Sequence, residues 1–84
     1  MTIQELIETL SQYNPNTLVV IGGYQAGYND ISKIEPVNLQ LNVNHQWYDG
    51  AHSLAPLNHP TITTTLAIYL GGYNPNYPIS NYLP

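Results

Sequence analysis

Near the N-terminus, apolar residues recur at helical spacing: Ile3, Leu6, Ile7 and Leu10 fall on one stripe, while Gln4, Glu5, Glu8 and Thr9 lie off it. The pattern predicts a helix over residues 2–13. Thr2 followed three residues later by Glu5 has the form of a capping box, and Glu5 and Glu8 sit where the helix dipole favours negative charge. Asn14-Pro15-Asn16 ends the helix, because proline forces its predecessor out of the helical region and suits the second position of a turn.

Beyond the turn the period changes. Residues 17–21 form a continuous β-branched and apolar run closed by Gly22 and Gly23, the pattern of a buried central strand. Residues 24–30 read as a loop, and Pro36 postpones the next strand. Val37, Leu39, Leu41 and Val43 then alternate strictly with Asn38, Gln40, Asn42 and Asn44, which predicts a strand with apolar residues on one face and amides on the other. Residues 45–60 have turn composition with room for a short extra strand, broken by Gly50, Pro56 and Pro60. Residues 61–70 predict a third strand that pairs with the second, placing Ile62, Thr64, Leu66, Ile68 and Leu70 on one face. The fold class expected is α+β: an N-terminal helix packed on a small, mainly antiparallel sheet of three to four strands. Residues 1–70 form that domain, and the Tyr/Asn/Pro-rich residues 71–84 form a C-terminal arm or tail.

With 84 residues there is room for one hydrophobic core, and without cysteine its stability cannot come from disulfides or a thiolate zinc site. No segment has the roughly 20 apolar residues of a membrane span, and the start lacks the pattern of a secretory signal, so a soluble, cytoplasmic protein is expected. Lys33 is the only basic residue and the net charge is -4, which leaves no patch able to neutralise the phosphates of DNA or RNA. Eight tyrosines and no phenylalanine suit a contact surface, since tyrosine couples a rigid apolar face to a polar tip.

Two constellations carry candidate binding chemistry. In the first, Gly22 to Asp30, glycines allow close backbone approach while Tyr24 and Tyr28 are placed to stack on a ring whose polar edge Asn29 and Asp30 read. In the second, Asn44 to His52, the only tryptophan, Trp47, stands beside Tyr48, Asp49, His45 and His52 in a loop after a strand. The bland readings are a glycine-rich connection whose tyrosines pack on the sheet, and a Trp47 that caps the core between solvated histidines. His45, His52 and His59 recur every seven residues, so a metal-dependent hydrolase using His45, Asp49 and His52 is an alternative, although no short histidine pair anchors such a site. There is no cysteine nucleophile, and Ser11, Ser32, Ser53 and Ser80 lie in no catalytic motif, so the chain reads as non-enzymatic, with no cofactor and no metal.

The order of landmarks resembles a group of short phage and mobile-element bacterial proteins. These have a Thr-Ile-x-Glu-Leu-Ile helix, a Gly-Tyr-x-x-Gly-Tyr-x-Asp block and a Trp-Tyr-x-Gly-x-His loop, here at residues 2–10, 23–31 and 42–52. Members tend to be more acidic around the tyrosine block, where this chain has Gly22, Gln25 and Asn29. The resemblance implies an accessory protein that acts by binding. One such action is counter-defence, sequestering a nucleotide-like immune signal in a pocket between subunits of a homo-oligomer; the alternative is a protein-protein interaction that inhibits a host protein.

Overall fold

The structure, a computed structural model, describes residues 1–56 and 63–76. It has one helix, α1 (Ile3–Leu10), followed by the strands β1 (Val20–Gly22), β2 (Tyr28–Asp30), β3 (Lys33–Gln40), β4 (Ser53–Leu54) and β5 (Thr65–Gly71). All pairing is antiparallel, so the α+β class holds, but the strands divide between two sheets: a hairpin of β1 and β2, and a three-stranded sheet in the order β4-β3-β5.

The helix begins as its sequence dictates. The Thr2 hydroxyl accepts the Glu5 N–H at 3.1 Å, and the Glu5 carboxylate accepts the Thr2 N–H at 3.1 Å, so two of the otherwise orphaned donors are satisfied. The bond from the Thr2 N–H first, then the Thr2 hydroxyl beside the carboxylate, and the charge of the N-terminus hold the Glu5 carboxyl below the usual carboxylate range. Ser11 closes the last turn, giving its N–H and hydroxyl to the Ile7 carbonyl. Asn14 then builds the expected proline turn, accepting the Asn16 N–H on its side chain and the Thr17 N–H on its carbonyl.

β1 forms a hairpin with β2 instead of a buried central strand, and the residues before it stay open, Leu18 at 73% exposure and Val19 at 46%. The expected loop at 24–30 therefore shortens to residues 23–27. Its tip is tight: Ala26 donates its N–H to the Tyr24 carbonyl at 2.8 Å around Gln25, whose φ of 66° makes this a classic γ-turn.

β3 starts at Lys33, earlier than the alternation suggests, and runs through Pro36. Proline is tolerated because Asn38, two residues on, turns its carbonyl to Ala55 on the β4 side. By the period of two, Pro36 points its nitrogen to that same edge, where β4 does not reach. The strand stops at Gln40 because Asn42 takes a φ of 56°, a conformation asparagine tolerates, and Leu41 and Val43 fall outside the sheet. β3 and β5 pair along their length from Lys33↔Gly71 to Leu39↔Thr65. The expected third strand starts at Thr65; residues 61 and 62 of that expectation lie outside the described residues, as does His59.

Pairing decides which apolar residues share a face. Val37 and Leu39 stand opposite Ala67 and Thr65, whereas Ile34, Pro36 and Asn38 stand opposite Leu70, Ile68 and Leu66. The three-stranded sheet thus carries apolar residues on both faces. Substantial contacts join β3 to β5, β1 to β2 and β3 to β4; α1 makes none of that order with either sheet. Consequently no hydrophobic side chain among the described residues is buried, and the radius of gyration, 16.0 Å, exceeds the roughly 12 Å of a compact chain this long.

Candidate functional site

The hairpin and the end of β5 meet at one place. Gly72 lies so close to Asp30 that an added Cβ would strike the Asp30 carbonyl oxygen and come within 3.1 Å of Ile21 Cδ1. Two residues on, the Asn74 side-chain carbonyl accepts a 2.6 Å bond from the amide of half-buried Asn29. Ser32 completes the joint by donating its N–H to the Gly71 carbonyl at 2.9 Å. Together these contacts carry Tyr73 and Pro75 to the side of β2 and leave a hollow of about 290 Å³ lined by Tyr28, Asn29, Asp30, Ser32, Tyr73 and Pro75. Its walls are aromatic and amide, its one carboxylate is Asp30, and no cation lines it. Three residues of the first constellation, Tyr28, Asn29 and Asp30, are therefore brought together, while Tyr24 stands at the hairpin tip, 72% exposed, and does not line the hollow.

The second constellation is organised by Asn44. Its amide donates to the Gly50 carbonyl at 2.8 Å and to the Ser53 hydroxyl at 2.9 Å, its side-chain carbonyl accepts from that hydroxyl at 3.1 Å, and its N–H reaches the Ala51 carbonyl. Within the loop so closed, Asp49 gives its N–H to the Gln46 carbonyl at 3.1 Å, forming a β-turn whose two central residues are Trp47 and Tyr48. Their rings meet edge to face, with centroids 5.5 Å apart and planes at 85°. Trp47 is 92% exposed and Tyr48 67%, so the tryptophan does not cap a core. It projects from the apex of the turn.

The two constellations do not converge. The hairpin precedes β3 and the aromatic turn follows it, so the eight residues of that strand, about 26 Å at extended rise, separate them, and no residue of 45–52 lines the hollow. The metal set considered for His45, Asp49 and His52 is also not assembled: among the described residues no group of three or more metal-ligating side chains lies together. His52 uses Nδ1 to accept the Asn42 N–H at 3.0 Å, holding the left-handed turn, and His45 is exposed in the loop. The one lysine is engaged with Glu35 at 3.2 Å.

Sequence reasoning missed Asn44 as the loop's organiser and missed Tyr73, Pro75 and Ser32 as walls of the hollow. The side-chain bonds of Asn44 reach six and nine residues ahead, and the Asn29–Asn74 bond spans 45, separations to which local periodicity is blind. Among the described residues no helix is long and apolar enough to cross a membrane. Comparison with protein-family models, with curated proteins and with solved structures finds no match.

Proposed function

We propose that this chain is a non-enzymatic binding protein whose principal contact is the Trp47–Tyr48 turn, and that its partner is another protein. One observation carries the reading: a 92% exposed tryptophan stands at the apex of a turn that Asn44 braces from below. An exposed aromatic pair on a braced loop has little conformational entropy left to lose on docking, and buried tryptophan and tyrosine are the residues that dominate protein interfaces. The absence of net positive charge agrees with a protein partner over a nucleic-acid polymer. Inhibition of a host protein, as the resemblance to phage accessory proteins implies, belongs to this reading.

A photo-crosslinking residue placed at Tyr48 in the native host identifies the partner. Binding of that purified partner is expected to weaken more than about 30-fold in Trp47→Ala, the loss typical of a hot-spot residue, with no change in thermal stability. Equal affinity of wild type and Trp47→Ala for the crosslinked protein would refute the assignment.

A second reading, small-ligand sequestration, is favoured by the hollow between Tyr28 and Tyr73. Its carboxylate and lack of a cation suit an uncharged, nucleoside-like ring better than a phosphate group. Nucleosides should raise the melting temperature and the matching nucleotides should do so less; Tyr73→Ala should abolish the difference. No shift with any nucleoside removes this second reading.

A further inference from the structure

The aromatic turn is carried by one loop, residues 41–52, which leaves the sheet at Gln40 and rejoins it at Ser53, the residue paired with Gln40. Successive bonds tie the two sides of the loop together: the Asn42 N–H donates to His52 Nδ1 at 3.0 Å, and the Asn44 N–H donates to the Ala51 carbonyl at 3.1 Å. The first of these differs from the others in the loop, because its acceptor is a nitrogen that can be protonated. A backbone N–H only donates, so the Nδ1 it faces must keep its lone pair and the ring proton must sit on Nε2. A second proton, at Nδ1, would set two donors against each other. The residue that would lose its partner is Asn42, whose φ of 56° lies in the left-handed region, two residues before the Asn44 that braces the turn.

We propose that protonation of His52 slackens the Trp47–Tyr48 turn, so that the chain holds its aromatic contact firm in neutral solution and loosens it in mildly acidic solution. Histidine is the side chain whose charge ordinarily changes between about pH 5 and 8, and His52 is exposed, so solvent protons reach its ring. Few other groups compete for the role. The loop's remaining titratable side chains are His45, Tyr48 and Asp49. β4 carries none, and on β3 Lys33 and Glu35 pair with each other, Glu35 lying about 16 Å along the strand from Gln40 at extended rise. His59 lies outside the described residues. The switch rests on the reading of the turn as the contact surface, whose regulation it supplies.

The test uses the full chain, labelled with nitrogen-15, between pH 8 and pH 5. At the upper end a coupling across the hydrogen bond should join the Asn42 amide nitrogen to an unprotonated His52 Nδ1. At the lower end that coupling should vanish, solvent exchange of the Asn42 amide should rise about 2- to 10-fold, the loss of one ordinary hydrogen bond, and the fluorescence anisotropy of Trp47 should fall in the same transition. His52→Asn sets a carbonyl oxygen where Nδ1 stood, an acceptor that does not titrate, and should keep the high anisotropy throughout, whereas His45→Gln, Asp49→Asn and His59→Gln should retain the transition. Absence of the coupling at pH 8, an anisotropy that is flat in the wild type, or a transition that persists in His52→Asn overturns the proposal. All these readings come from the free chain, so their failure leaves the partner-binding reading standing. A crosslinked partner indifferent to Trp47→Ala would remove that reading and leave the pH response of the loop intact.

Discussion

Replacing Asn44 by alanine removes the brace of the aromatic turn. The side chain donates at 2.8 Å to the Gly50 carbonyl and exchanges two bonds of 2.9 and 3.1 Å with the Ser53 hydroxyl. A typical intramolecular hydrogen bond contributes about 0.5–1.5 kcal/mol net, so these three contacts together stabilise the loop by at most about 1.5–4.5 kcal/mol. Asn44 and Ser53 are half-buried and water replaces part of what is lost, which places the expected destabilisation near 1–2 kcal/mol. Urea unfolding should be followed by far-UV circular dichroism, because a tryptophan already 92% exposed changes little in emission when the chain unfolds. The fluorescence anisotropy of Trp47, the only tryptophan, reports the loop itself and should fall in Asn44→Ala. Ser53→Ala should cost about 0.5–1.5 kcal/mol, and the two substitutions should be non-additive because they share bonds. If Asn44→Ala stays within about 0.3 kcal/mol of wild type and the anisotropy is unchanged, the brace is not what orders the turn.

Three further outcomes follow from the geometry. Gly72→Ala sets a methyl against the Asp30 carbonyl, so it should destabilise the chain by about 1–3 kcal/mol in urea unfolding and open the hollow beside Tyr28, whereas Gly22→Ala, with open space around it, should cost much less. Gln25→Gly relieves a positive φ of 66° at the hairpin tip, and a rise or no change in melting temperature is expected despite the greater freedom of glycine in the unfolded chain; a clear fall would contradict the γ-turn. The Glu5 carboxyl is held below its ordinary range by its bonds to Thr2, so it binds protons more weakly folded than unfolded. Its stabilisation is complete above the unfolded carboxylate range and lost as pH falls through the folded value, so helical circular dichroism should decline on acidification, and less steeply in Glu5→Gln.

Local chemistry in the sequence determined the elements that depend on neighbours a few residues apart. Thr2 with Glu5 fixed the helix start, Asn14-Pro15 fixed its exit turn, and β-branched and apolar runs marked parts of β1, β3 and β5, with the antiparallel partnership of the last two, but not β2, which lies in residues that read as a loop. Exposure of Trp47 and its place beside Tyr48 were legible only as a loop rich in aromatics. Which residues end up on the same side was decided elsewhere. Pairing of Val37 with Ala67 sends Leu66, Ile68 and Leu70 to the opposite face, because register is a relation between segments and a shift of one residue inverts every side chain. Likewise the Asn29–Asn74 bond, the Gly72 contact and the length of β3 set the hollow and keep it apart from the aromatic turn. Alternation along one strand shows that it has two sides, but only its neighbours in space select the side that meets water.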